Sequence, residues 1–158
     1  MNIKIKNGKY ASEEAIQKLE AELGCPLSVS FRTFVGVHDG AKPEPNTFTV
    51  KENINGGVNR FIPVNNILKE RQSIENLPSK AYPVAWAECG NYIFVDEGRR
   101  GEVYFWDHEE PEKIIKIGDS FDVFLSLLRP FDVKSIKLNP KQVKRVWINP
   151  NFLKHREE

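Results

Sequence analysis

Apolar positions along this chain recur at a helical spacing near its start, shift to runs and alternations over its middle, and return to a helical spacing before Leu128. Ile16, Leu19 and Leu23 lie three and four apart, behind Ser12, Glu13 and Glu14 and ahead of Gly24 and Pro26. A capping serine, acids in the first turn and a glycine–proline stop predict a first helix there. Phe31, Phe34, Val35 and His38 repeat the spacing, with Ser28 as the expected cap and Gly40 as the stop. His38 on that stripe reads as a packed, hydrogen-bonded histidine rather than a ligand. Ahead of both helices, Ile3 and Ile5 alternate with lysines, the pattern of a short edge strand or a poorly ordered arm.

The middle of the chain changes period. Residues 41–46 are proline-rich and polar, a predicted loop, and Phe48 and Val50 then alternate with Thr47, Thr49 and Lys51 as in a half-buried strand. Asn55-Gly56-Gly57 reads as a turn, and Phe61–Val64 as a further strand or strand edge. Asn65 is the expected cap of a modest helix carrying Ile67, Leu68 and Ile74, ended by Leu77-Pro78. Tyr82–Ala87 is the first strand of a central region. Tyr92–Val95 and Val103–Trp106 then flank a loop with Gly98 and Gly101, which predicts an antiparallel hairpin. Both runs are apolar on both faces, so both faces are expected to be covered. Ile114, Ile115 and Ile117 form a last strand, and Asp119 or Ser120 caps a helix with Phe121, Phe124, Leu125 and Leu128 on one face. Past Pro130, Asn139-Pro140 opens a further predicted helix with Val143, Val146 and Trp147, which is expected to dock through Trp147.

At 158 residues, 40% hydrophobic and 28% charged, the chain fits one globular α+β domain spanning residues 1–158. No apolar run approaches the roughly 18 residues needed to cross a bilayer, and Met1–Lys6 has no apolar leader core. The expected location is the cytoplasm. Cys25 and Cys89 lie far apart and are expected to be small buried hydrophobes rather than a disulfide. Net charge is +1, but it is unevenly distributed. Between Glu88 and Glu112 eight acids face only Arg99 and Arg100, whereas Lys134–Glu158 carries seven Lys or Arg against two acids. Each region can meet a partner of opposite sign, or the two can attract each other within the molecule.

Catalytic patterns are absent. There is no phosphate-binding glycine loop, no nucleophile elbow and no cysteine–histidine metal spacing; His38, His108 and His155 are scattered. Glu88, Asp96, Glu102 and Asp107 with His108 are the best candidates for a metal-dependent nuclease site, but loop and strand-end acids account for them more simply. Tyr92, Phe94, Tyr104 and Trp106 resemble a base-stacking row, yet no basic residues interleave with them, which argues against nucleic acid. No catalytic residue, metal or cofactor is expected.

Four strings in order carry a family resemblance: AIQKLEAELGCPLSVSFRTFVGVHDG (Ala15–Gly40), YPVAWAECGNYIFVD (Tyr82–Asp96), VYFWDHE (Val103–Glu109) and IIKIGDSFDVFLSLL (Ile114–Leu128). Their order resembles the SUKH superfamily, which includes the yeast Smi/Knr cell-wall-synthesis regulators and bacterial immunity proteins. The resemblance covers about residues 13–128, and residues 130–158 form a basic extension expected to pack on that core. Cys25 stands where the family usually has leucine, and Asp39 where it usually has asparagine. The resemblance implies a mostly antiparallel mixed sheet with helices packed against it, no enzymatic activity, and a surface that binds a protein, in bacteria a toxin such as a nuclease or deaminase. A regulatory scaffold or small-ligand binder on the same fold is the alternative. The expected partner surface is one acidic ridge, Asp96, Glu97, Asp107, Glu109, Glu110 and Glu112, with Tyr104 or Trp106 as an apolar anchor if exposed. Neither nucleic acid nor membrane is an expected partner.

Overall fold

The computed structural model describes residues 3–52, 54–132 and 147. Among the described residues, two antiparallel sheets and four α-helices form an α+β fold. In chain order the elements are β1 (Lys4–Lys6), α1 (Glu13–Leu23), α2 (Val29–His38), β2 (Lys42–Glu44), β3 (Thr47–Lys51), β4 (Ile54–Phe61) and α3 (Val64–Arg71). They continue with β5 (Ala81–Ala87), β6 (Tyr92–Asp96), β7 (Glu102–Trp106), β8 (Ile114–Gly118) and α4 (Phe121–Ser126). β1 pairs with β2, so the predicted loop at 41–46 is a strand whose partner lies 38 residues upstream, with Lys4 opposite Glu44. The larger sheet is a six-stranded meander, β3-β4-β5-β6-β7-β8, each strand antiparallel to the next.

Cross-strand register assigns the faces. Phe61, Ala85, Ile93, Phe105 and Ile115 form one row, and Tyr82, Val95 and Val103 belong to the same face. This face curls around a core closed by the helices. Ser12 Oγ accepts the Ala15 N–H and Gly24 closes α1 in a left-handed conformation, as expected from a capped helix. Phe31 and Phe34 of α2 and Phe121 of α4 meet edge-on at 5.0 Å, and Phe31 packs against Tyr82. Ser120 Oγ caps α4 by accepting the Val123 N–H, and buried Phe124 lies against Phe48 of β3. Phe48 in turn meets Phe105 of β7 at 5.9 Å, and the sheet curls until its edge strands β3 and β8 touch.

Three local expectations are corrected. Asn55-Gly56-Gly57 lies within β4 rather than in a turn: Gly56 pairs with Phe48, and a Cβ there would lie 2.7 Å from the end of the Phe48 ring. The glycine serves close approach, not chain reversal. The helix expected from Asn65 starts at Val64, and its first free N–H is accepted by Asp39 Oδ1 at 2.8 Å, a cap supplied from α2's end. Ser28 precedes α2 but makes no side-chain cap bond. His38 is half-buried against the Phe34 ring, 5.3 Å away. The helix expected near residues 139–149 lies outside the described residues; Trp147, described by itself, is 74% exposed.

The opposite sheet face is covered too. Ile74 and Leu77, past the end of α3, pack on Ala81, Phe94, Tyr104 and Trp106. Trp86 Nε1 and the Tyr92 hydroxyl both donate to Glu70 Oε2, at 2.9 and 2.8 Å, fixing α3 to this face. Burial and the Glu70 carboxylate push the Tyr92 phenol up to about 12.

Candidate functional site

The acidic positions separate into two groups at opposite ends of the β6–β7 hairpin. β7 runs five residues from Glu102 to Trp106, a span of roughly 13 Å. The ridge expected from Asp96 through Glu112 is therefore not continuous.

At the hairpin tip the acids hold the fold. Asp96 is 4% exposed; its Oδ1 accepts the Gly98 N–H at 2.9 Å and its Oδ2 lies 3.6 Å from Arg99 Nε. Glu97 Oε1 accepts the Ser28 N–H at 2.7 Å and the buried Tyr82 hydroxyl at 2.6 Å, joining the tip to the start of α2. Glu102 takes the Lys116 ammonium and the Tyr104 hydroxyl, and Lys116 holds its carboxyl below the usual range. Tyr104 and Trp106 are 5% and 6% exposed under Ile74 and Leu77, so neither is free to anchor a partner. The physical reason is register: both sit on the covered outer face with Phe94 and Tyr92.

The other end is an open mouth. A cavity of about 160 Å³ opens where the curled sheet brings the ends of β3, β5 and β7 together with the starts of β4 and β8. Val50, Phe105 and Ile115 give it an apolar floor, and Ile54 stands 45% exposed at its edge. Glu88, Asp107 and Glu110 line it, with Lys51 and Lys113 as the cations. Asp107 turns the chain by accepting the Glu109 N–H at 3.0 Å, and Asn91 Oδ1 accepts the His108 N–H at 3.1 Å. Trp106 Nε1 donates to the Pro111 carbonyl at 3.2 Å, pinning the loop from beneath. Glu110 pairs with Lys113, which lowers its carboxyl below the usual range. Among the described residues the side chains of Glu88, Glu109 and Glu112 make no hydrogen bond or salt bridge. This loop thus presents charge from a fixed backbone.

Residues 10–127 match the model of the SMI1 / KNR4 family (SUKH-1). The chain belongs to this family. No curated protein matches it significantly. The SMI1/KNR4 match includes both ends of the hairpin and leaves the basic extension outside. Of the acids anticipated from sequence, this SUKH-1 chain gathers Asp107, Glu109, Glu110 and Glu112 on one loop and withdraws Asp96 and Glu97 into the fold. It adds Glu88, whose carboxylate lies beside Gly57: a Cβ at Gly57 would come 2.5 Å from it. The glycine pair read as a turn was the signal, because a glycine inside a strand marks a close approach. Cys89 is exposed beside Glu88 with φ of 58°, so the expected burial fails there; Cys25 is part-buried, and both thiols are free. A nuclease centre from Glu88, Asp96 and Asp107 has no shared geometry, since Asp96 is at the far hairpin end, and no metal-holding group of three occurs among the described residues. No helix among them is long and apolar enough to cross a membrane.

Proposed function

We propose that this SMI1/KNR4 (SUKH-1) chain is a non-catalytic immunity protein that neutralises a bacterial toxin domain in the cytoplasm by docking its acidic mouth over a basic active-site cleft. The observation that supports this reading is that, among the described residues, Glu88 in the mouth's lining and Glu109 and Glu112 on the adjoining backbone-pinned loop make no salt bridge. Surface carboxylates that stay unneutralised while the fold spends hydrogen bonds on orienting their loop are suited to steering a cationic partner. A nuclease or deaminase toxin is the fitting class, because its cleft is built to receive phosphates and carboxylates can stand in for them.

Ile54 at the mouth's edge, 45% exposed, with half-buried Ile115 beside it, supplies the apolar contact on which an interface concentrates its energy. A small-ligand role fits less well, since a cavity of about 160 Å³ is below the few hundred Å³ of ordinary ligand pockets. The test is co-expression with a cognate nuclease or deaminase toxin domain. Growth should be restored, and purified protein should stop the toxin's activity at one equivalent. A toxin that stays fully active at several equivalents rejects the proposal.

A further inference from the structure

We infer that the mouth continues into an open groove that receives an extended peptide segment of the partner carrying one basic side chain. The inference rests on the mouth being an interaction surface, as proposed above, and names what enters it. A groove of about 250 Å³ lies between Asn46, Thr47, Asn55, Gly56, Glu88 and Phe131. Asn55, Gly56 and Glu88 also line the mouth, so the two form one continuous depression. Phe131, 53% exposed, is an apolar wall of the groove. Its place is set nearby in the chain, where Arg129 pairs with Thr47 through backbone bonds of 2.8 and 3.1 Å.

Asn46, Asn55 and Asn91 of this depression each have one end of the side-chain amide fixed and the other end unused. The Arg129 guanidinium can only donate, so the Asn55 atom that meets its Nη2 at 2.7 Å is the oxygen. The His108 backbone N–H, 3.1 Å from Asn91, fixes the Asn91 oxygen in the same way. The Val58 carbonyl can only accept, so Asn46 turns its Nδ2 toward it, at 3.1 Å. Among the described residues, Asn55 Nδ2, Asn91 Nδ2 and Asn46 Oδ1 make no further bond. The depression thus offers two donors and an acceptor that are already oriented, which lowers the ordering cost of binding.

Glu88 supplies the charge. Among the described residues it is the one charged side chain lining the groove, and it makes no hydrogen bond or salt bridge. A Cβ at Gly57 would come 2.5 Å from its carboxylate, so the bare glycine backbone gives that carboxylate its place. This donor set selects the ligand. A metal or a simple ammonium ion satisfies Glu88 but is repelled by the amide N–H groups, and an anion does the reverse. A peptide carries carbonyl oxygens for Asn55 and Asn91 and an N–H for Asn46. With an arginine or lysine it also brings the cation for Glu88, and the apolar stem of that side chain can lie along Phe131.

The test needs no toxin, so its outcome is separable from that of the immunity proposal. N-acetyl-arginine methylamide is titrated into the full chain and followed by backbone amide shifts. Saturable shifts are expected at Asn55, Gly56, Glu88 and Asn91, with a Kd on the order of 1 mM. Two further probes each lack half of the recognition: N-acetyl-norleucine methylamide has no cation, and propylguanidinium has no backbone carbonyl. Each should bind at least about fivefold more weakly, and so should the arginine probe to Glu88→Gln. Glu88 is exposed and unbonded, so that variant should keep the parent's unfolding midpoint. Equal binding of either truncated probe, or an unchanged Kd in Glu88→Gln, overturns the inference. Shifts that miss the groove, or that are confined to Glu109–Glu112, overturn it as well. A chain that neutralises its toxin without binding the probe rejects the groove alone, and one that binds the probe without neutralising rejects the immunity reading alone.

Discussion

Glu97 separates a residue that recognises a partner from one that holds the fold. One oxygen, Oε1, accepts both the Ser28 N–H and the Tyr82 hydroxyl, at 2.7 and 2.6 Å. Tyr82 is fully buried, and burial together with Glu97 raises its phenol far above the ordinary range, so it remains a donor at any working pH. Replacing Glu97 with alanine removes two charge-assisted bonds, each worth about 1.5–3 kcal/mol. Ser28 is half-buried, so its N–H regains part of that from water. The Tyr82 hydroxyl does not, and an unsatisfied buried hydroxyl costs about 1–3 kcal/mol. The expected loss for Glu97→Ala is therefore about 2–4 kcal/mol, read from urea unfolding as a lower midpoint with unchanged slope.

The decisive form is a double-mutant cycle. Tyr82→Phe alone forfeits its bond to Glu97, but in the Glu97→Ala background it removes an orphaned donor. The second substitution should then cost about 1–2 kcal/mol less than the first would suggest, a coupling within the range for direct partners. An effect of Glu97→Ala below about 1 kcal/mol, or strict additivity in the cycle, would refute the assignment of Glu97 to the fold. It would return this carboxylate to the candidate partner surface.

Other perturbations probe the packing that shapes the mouth. Phe124→Ala empties a fully buried site beside Phe48 and Phe121 and should cost about 3–5 kcal/mol, measured by chemical unfolding. Gly56→Ala drives a methyl against the buried end of Phe48 and should cost about 1–3 kcal/mol, whereas Gly57→Ala meets only the mobile end of Glu88 and should leave the unfolding midpoint nearly unchanged. Asp39 caps Val64, yet burial raises its carboxyl above the ordinary value. A raised folded value means the ionised carboxylate weighs against folding above that value, and the deficit disappears once pH falls below the unfolded one. Asp39→Asn keeps an acceptor for the Val64 N–H, so it should unfold at a higher temperature than the parent at neutral pH. That advantage should be lost at about pH 3, below the unfolded carboxylate value.

The helix faces and the central hairpin were legible because each rests on a local signal. Ser12 and Gly24 bracket α1, Ser120 caps α4, and Tyr92–Val95 opposite Val103–Trp106 announces paired strands. What was not legible depends on contacts remote in sequence. Lys42–Glu44 has no strand pattern of its own and becomes one by pairing with Lys4–Lys6. Gly56 and Gly57 look like a turn until Phe48 and Glu88 are seen above them. The acidic run looked like one surface because sequence proximity hides strand direction: β7 carries the chain from Glu102 at one end of the sheet to Asp107 at the other. Alternation along that strand put Tyr104 and Trp106 on one face, and the apolar character of both faces already implied a cover; what was not legible is that the segment carrying Ile74 and Leu77 provides it.

The proposed docking of a cationic toxin domain on the acidic mouth is tested by association kinetics against ionic strength. The comparison is between the parent chain and a variant carrying Glu109→Lys, Glu110→Lys and Glu112→Lys, with matched unfolding midpoints as the control for folding. Electrostatic steering raises association rates above the unsteered range and fades as salt screens it. The parent rate should fall steeply with added salt, while the variant should associate more slowly at low salt with a flat or inverted dependence. Two superimposable curves would contradict the claim and place the partner on another surface.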